Sequence, residues 1–306
     1  MDLALFTTQM LNGLQLGVLL FLVAAGLTLI FGIMDFINLA HGAFYMIGAY
    51  FCGTVVALTG SFVLGLLIAL PLTAAVGYAA EVTIARTLYT RDHLDHVLAT
   101  FGLILIADTT VHFFWGAEGM GIPTPEWARG RVTFAGAEIP AFRLVIVGTG
   151  LAVAAGLWLM VTRTRLGMLI RAGASNRTMV QALGVDIQRL FAIVFALGAA
   201  MAGLAGLMIA PITEASIGMG NEIIIVAFVV IIIGGIGSVK GALIGALIVG
   251  VIDTMGRSYL DVLLLFFMSP DAAETAAPAL SAMLIYILMA GILVIRPQGL
   301  FPPRTR

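Results

Sequence analysis

Met10-Leu-Asn-Gly-Leu-Gln-Leu-Gly-Val-Leu-Leu-Phe-Leu-Val-Ala-Ala-Gly-Leu-Thr-Leu-Ile-Phe-Gly-Ile33 runs for twenty-four residues without a charge. A helix needs about 20 predominantly apolar residues to cross a hydrocarbon core about 30 Å thick. Outward from this stretch, eight more of its kind lie at roughly 38–59, 62–85, 97–115, 142–162, 190–210, 221–237, 239–256 and 280–295. Those at 221–237 and 239–256 are short and broken by glycine, so one of them reads as re-entrant. The fold class is therefore an all-α polytopic membrane protein with about 8–10 transmembrane helices. No Lys or Arg precedes Arg86, so the first segment lacks a signal peptide's basic leader and is expected to remain as a span.

Composition points the same way. Of 306 residues, 61% are hydrophobic and 10% charged, with a mean hydropathy of +1.12. Soluble domains run at about 45–50% apolar and about 25% charged, and disorder needs low hydrophobicity with high net charge. Fifteen basic and sixteen acidic residues give a net charge of −1, which leaves no basic face for nucleic acid. Cys52 is the single cysteine, so neither a disulfide framework nor a cysteine metal site is available. His41, His93, His96 and His112 show no ligand spacing with a carboxylate, and no metal is expected. His93 and His96 lie among charges between apolar segments and are expected to be solvated.

Orientation is read from Lys and Arg in the loops. The connection 163–189 carries Arg163, Arg165, Arg171, Arg177 and Arg189 against Asp186, and the tail carries Arg296, Arg304 and Arg306 against no acid. Both are expected in the cytoplasm, which agrees with the four proposed spans between them. Loop 86–96, with Arg86 and Arg91, joins them there. Arg129 and Arg131 then fall outside with Glu118, Glu126 and Glu138, and the N-terminus is also expected outside.

Gly13/Gly17, Ala49/Gly53, Ala199/Gly203, Ala202/Gly206, Gly241/Gly245 and Ala242/Ala246 are small-xxx-small pairs, which let helix backbones approach closely within lipid. Packing inside one bundle and a dedicated dimer face are both open to them. His41-Gly-Ala…Ile47-Gly-Ala echoes Lys240-Gly-Ala…Ile244-Gly-Ala. An internal repeat, or chance in Gly/Ala-rich helices, accounts for the echo.

Polar residues within apolar runs are functional candidates by default. The densest group is Asn38, His41, Gly42 and Tyr45. On a helix Asn38 and His41 are three apart and Tyr45 four further on, one shared face framed by Gly32 and Gly42. Such a face could border the translocation path of a broken helix; equally, Asn38 and His41 could satisfy loose backbone groups at a turn. Asp108 and His112, at i,i+4, are expected to pair. Glu81, Glu222 and Asp253 lie toward the ends of their segments, where snorkelling would relieve them. No chain of intramembrane carboxylates appears, which weakens ion-coupled transport.

In Arg171-Ala-Gly-Ala-Ser-Asn-Arg-Thr-Met-Val-Gln-Ala-Leu-Gly-Val185, the residues Ala172, Ser175, Met179, Ala182 and Leu183 recur at helical spacing. One short amphipathic helix between Gly173 and Gly184 is expected, suited either to docking in a partner's groove or to lying at the membrane surface. Residues 234–241, Gly-Gly-Ile-Gly-Ser-Val-Lys-Gly, match neither a Walker A loop nor a dinucleotide fingerprint. Their glycines, Gly234, Gly235, Gly237 and Gly241, read as a tight turn between spans. With no nucleophile–base array either, no catalytic residue is assigned.

Taken together, several stretches resemble the membrane permeases of branched-chain amino acid ABC transporters. They are Leu27–Met34 with Asn38-Leu-Ala-His-Gly-Ala-Phe-Tyr-Met-Ile-Gly-Ala-Tyr50, the loop Arg171–Val185, and Gly234–Gly245. Thr100-Phe-Gly102 and the closing Arg296-Pro-Gln-Gly-Leu-Phe301 also look like the family pattern, so the likeness spans about residues 10–302. The resemblance implies one permease domain, 1–306, of ABC importer permease fold in a bacterial inner membrane, without catalytic activity or cofactor of its own. It implies a second permease chain, identical or homologous, completing the pore; cytoplasmic ATPases that bind the ATP; a periplasmic binding protein; and surrounding membrane lipid. On that likeness, Arg171, Ala172, Ser175, Asn176, Met179, Ala182, Leu183, Gly184 and Val185 form the ATPase-coupling segment. Family members often carry an acid near 176–177, where this chain has Asn176-Arg177, and proline where it has Lys240. Relatives on this pattern carry urea, short amides or aromatic acids, so these solutes stand beside branched-chain amino acids. An ion-coupled secondary transporter is the rival of another class, and it predicts uptake by the chain alone.

Overall fold

The computed structural model describes residues 3–134 and 137–302; Arg304 and Arg306 of the basic tail lie outside them. In chain order come α1 (Leu3–Met34), α2 (His41–Thr59), α3 (Phe62–Ala80), α4 (Arg86–Leu88), α5 (His93–Trp115), strands β1 (Arg131–Phe134) and β2 (Ala137–Pro140), and α6 (Ala141–Arg163). Then follow α7 (Arg165–Ser175), α8 (Arg177–Ala182), α9 (Ile187–Thr213), α10 (Met219–Gly234), α11 (Val239–Leu264) and α12 (Pro270–Ile295). A π-helical turn, Glu81–Ala85, joins α3 to α4, making Phe62–Leu88 one rod. The strands form an antiparallel hairpin in the register Arg131↔Pro140 and Val132↔Ile139.

Among the described residues, eight rods are long and apolar enough to cross a membrane. The ninth apolar helix, α10, has 16 residues, about 24 Å at 1.5 Å per residue. Only α10 is short: α11 runs to Leu264, eight residues past the expected end, so its glycines do not break it. Those glycines are packing sites inside a continuous helix, as argued below. The last span also starts earlier, at Pro270, and carries Pro278 inside the helix.

Helix ends follow local chemistry. Side chains of Ser61, Thr164, Asn176, Asp186 and Ser238 accept from the N–H three residues on, filling orphan donors of the first turn. Gly60, at φ 70°, closes α2 in the left-handed conformation that glycine adopts without steric cost.

The core sits along α1, which is buried over most of its length and packs on α11, α9, α6 and α10. Glycine makes the approaches possible. A Cβ at Gly13 would lie 2.8 Å from the Val251 Cα, and one at Gly17 2.8 Å from the Leu247 Cα. Gly203 meets Thr73, and Gly206 abuts the Tyr45 carbonyl. These small-residue pairs thus pack within one chain. The two echoing motifs clasp the ends of α10, Gly42 against Gly220 and Gly241 against Gly234.

The bundle has two distinct ends. Gly32 lies against Gly237, Gly173 near Ile33 and Leu190, and Asp35 near His93, which brings the close of α1, the α7–α8 segment, the α10–α11 turn and the start of α5 to one end. Arg86, Arg91, Arg163, Arg165, Arg171, Arg177, Arg189, Lys240 and Arg296 belong to that end by chain position. At the other, Met120 pairs with Ala215, Trp115 donates to Thr54, and Arg143 donates to Asn12.

Candidate coupling surface and membrane break

Residues 35–40 are not helical. Asp35, at φ 52°, lies 3.8 Å from His93 at the first residue of α5. The Leu39 N–H donates to Thr100 Oγ1 at 3.2 Å. Thr100 is seven residues up α5 from His93, about 10 Å deeper, so the segment climbs back into the bundle before α2 begins. Asn38 is therefore off the helix and shares no helical face with His41 and Tyr45; those two remain neighbours on α2. Backbone without helical bonding is tolerated at membrane depth only when protein or a watered cavity surrounds it. Here protein does: Asn38 and His41 are both 0% exposed.

Asn38 does not cap the helix either. The cap position is Ala40, and both amide atoms of Asn38 lack a hydrogen-bond partner among the described residues. The His41 ring reaches across to α1, Nε2 lying 3.1 Å from the Val23 carbonyl, an arrangement that puts the proton on Nε2. Gly26 leaves room for the ring, since a Cβ there would sit 2.9 Å from His41 Cε1. Gly42 lies on Gly220, and Tyr45 is buried beside α9.

The 171–185 stretch folds as two helices. Asn176, at φ −157° and ψ 97°, interrupts the single helix expected there. Its side chain accepts from the Met179 N–H at 2.9 Å and starts α8. Asparagine's strength as an N-cap was the readable signal for this break. α8 ends in a Schellman arrangement: Gly184 N–H donates to the Gln181 carbonyl, Val185 N–H to the Val180 carbonyl, and Gly184 sits at φ 86°. Val180 and Gly173 face inward, Ala172 and Val185 are half-buried, and Arg171, Ser175, Asn176 and Ala182 are exposed. Met179 is 58% exposed and Leu183 76%, an apolar pair standing free among arginines at the basic end.

Gly234, Gly235, Gly237 and Gly241 make the hairpin between α10 and α11. Gly235 (φ 103°) and Gly237 (φ 83°) hold the left-handed backbone of the turn. The tail completes it, because Leu300 and Phe301 N–H donate to the carbonyls of Ile233 and Gly234, both at 2.9 Å. Two of the carbonyls that every helix end leaves unpaired are satisfied in this way. Lys240 lies 5.1 Å over the Phe301 ring.

Other polar groups depart from their expected places. Glu81 does not snorkel: it is 0% exposed, bonded by Arg86 at 2.9 Å and by the Tyr89 hydroxyl at 2.8 Å. The π-helical turn brings Glu81 and Arg86, five residues apart, onto one side. Partial burial first, then the hydrogen bond to Glu81, pushes the Tyr89 phenol above its ordinary range, so it stays a donor. His96 is buried inside α5 rather than solvated, its Nε2 2.8 Å from the Leu88 carbonyl. Asp108 accepts from Asn221 of α10 at 3.1 Å instead of pairing with His112. Asp253 is largely buried and bonded to Arg257 at 2.9 Å. Asp253–Arg257 is an ordinary i,i+4 pair on one helix, and Glu81–Arg86 needed the π turn. The partners of His96 and Asp108 were not legible from spacing, because they depend on how separate helices are placed.

Residues 9–293 match the family described as branched-chain amino acid transport system / permease component. The chain is 30% identical to the high-affinity branched-chain amino acid transport system permease protein LivH of Escherichia coli K12, with 94% of this chain and 95% of LivH covered. It is 32% identical to the corresponding permease protein BraD of Pseudomonas aeruginosa, over 82% of this chain and 86% of BraD. Ribose import permease protein RbsC of Escherichia coli K12 is similar at 26% identity, over 76% of this chain and 72% of RbsC. No solved structure matches the chain.

Proposed function

The chain belongs to the family of permease components of branched-chain amino acid transport systems, and from that premise we propose that its solute is a branched-chain, hydrophobic amino acid. It is a multi-pass membrane protein and the pore-forming subunit of an ABC importer. The observation that carries the solute is the likeness to LivH over 94% of the chain.

In this reading the basic end faces the cytoplasm, as the distribution of Lys and Arg requires, and the N-terminus lies outside. A second permease chain completes the pore, a periplasmic protein delivers the solute, and cytoplasmic ATPases hold the ATP. The chain itself makes and breaks no bond. Its α7–α8 segment, with Met179 and Leu183 bare, is the surface that seats on the ATPase. Asn38, His41, Gly42 and Tyr45 act as a gate at the break rather than as a standing wall, since all four are sealed by protein in this conformation.

A mild-detergent pull-down of the tagged chain from its native membranes, with mass spectrometry of its companions, tests this. An ATPase, a second permease and a binding protein that takes up leucine, isoleucine or valine are expected. A binding protein selective for urea, an amide, an aromatic acid or a sugar would move the solute. Uptake by the chain alone under an ion gradient would overturn the importer assignment.

A further inference from the structure

At the basic end, one aromatic side chain stands between the coupling segment and the break. Arg177, the first residue of α8, has its guanidinium carbon 5.7 Å from the Phe191 ring centre on α9. Phe191 meets Tyr89 edge to face, 5.1 Å between centres at 86°. Tyr89 meets Phe36 in the same manner, 5.9 Å at 89°. Phe36 lies within the non-helical 35–40 segment, two residues before Asn38, and is 0% exposed. Phe36 also rests on His96, with ring centres 4.5 Å apart.

Tyr89 is also pinned. Its hydroxyl donates to Glu81 Oε1, while Arg86 donates to both oxygens of the same carboxylate. A buried carboxylate held by three hydrogen bonds resists losing any of them, so Tyr89 can pivot but cannot leave. Close-packed contacts of this kind pass displacements on rather than absorbing them. Transmission also needs an element that can rearrange, and the 35–40 segment lacks the helical bonding that holds its neighbours rigid. Asn38 is buried with its whole amide unpartnered among the described residues, and such a group gains from any arrangement that offers it a partner.

We propose that Tyr89 is the positioning residue that carries movement of the α7–α8 segment to the 35–40 break, receiving it through Phe191 and delivering it through Phe36. This rests on the ATPase-coupling reading of α7–α8 given above. The ring transmits, and the Glu81–Arg86 pair sets where it stands.

The test uses the whole importer in proteoliposomes, with L-leucine import and ATP hydrolysis measured together. Tyr89→Leu and, separately, Phe191→Leu are each expected to lower leucine imported per ATP by about fivefold while assembly and ATPase rate persist. Tyr89→Phe, which keeps the ring but gives up its tie to Glu81, is expected to lose about twofold, less than either leucine variant. A second readout follows the break itself: maleimide labelling of Ile37→Cys in a Cys52→Ala background should change on ATP binding, and Tyr89→Leu should abolish that change. Unaltered import per ATP in both leucine variants overturns the proposal. So does a loss of import matched by an equal loss of ATPase rate in variants that assemble. Should Tyr89→Leu fail to assemble, Phe191→Leu alone decides by the same criteria. An unmodified importer that does not couple leucine import to ATP removes the underlying reading, and this inference falls with it.

Discussion

Glu81 and Arg86 show how much a single residue's setting matters. The carboxylate is fully buried, and its charge is tolerable only because Arg86 and Tyr89 bond it. Arg86→Leu should destabilise the fold, because it withdraws two charged hydrogen bonds from a buried carboxylate. A fall in the detergent unfolding midpoint would show it, with a larger fall for Arg86→Leu than for Glu81→Gln, which also removes the charge. Glycines separate equally sharply. A side chain at Gly206 would run into the Tyr45 carbonyl, whereas Gly102 has open space where a Cβ would go. Gly206→Val should destabilise by about 3 kcal/mol through overpacking, and Gly102→Ala should stabilise by about 0.5–1 kcal/mol because alanine is the better helix former. Unfolding midpoints of the two glycine variants check both. In sequence the two glycines look alike; contact with α2 distinguishes them.

At the scale of elements, the α7–α8 segment separates fold from docking. Gly184 is a poor place to test docking, since any side chain at φ 86° strains the Schellman close as well. Leu183 is free of that confusion. Leu183→Glu should leave the unfolding midpoint within about 0.5 kcal/mol of the parent, as exposed substitutions do, yet strip the ATPase from the purified complex. Retention of ATPase at the parental ratio would exclude the docking role. The apolar spacing of this segment was legible in the sequence, and so was its position between spans. Its division at Asn176 had one readable signal, asparagine's strength as an N-cap, but apolar spacing ran through it, because a capping side chain competes with continued helix on nearly equal terms. The break at 35–40 was legible only as a cluster of polar residues. Whether Asn38 is helical depends on Thr100 and Phe36 finding their places, and α5 supplies the former.

Over the whole molecule, the gathering of basic residues at one end makes a simple prediction. In a Cys52→Ala background, Gln181→Cys should label with an impermeant maleimide only from the cytoplasmic side, and Gly130→Cys only from the opposite side; the reverse pattern would invert the chain in the membrane. The sequence by itself determined that this chain lives in a bilayer, the order in which its helices cross it, and the family to which its motifs point. Those properties follow from transfer of apolar runs out of water, which is local and sums along the chain. Tertiary structure alone decided which remote groups the polar residues meet: Asp108 turned to Asn221, Leu39 bonded to Thr100, Asn38 sealed with no partner among the described residues. Those outcomes depend on the rotation and depth of each helix. Contacts remote in sequence set both, such as Gly17 against Leu247 and Gly32 against Gly237, and no local pattern encodes them.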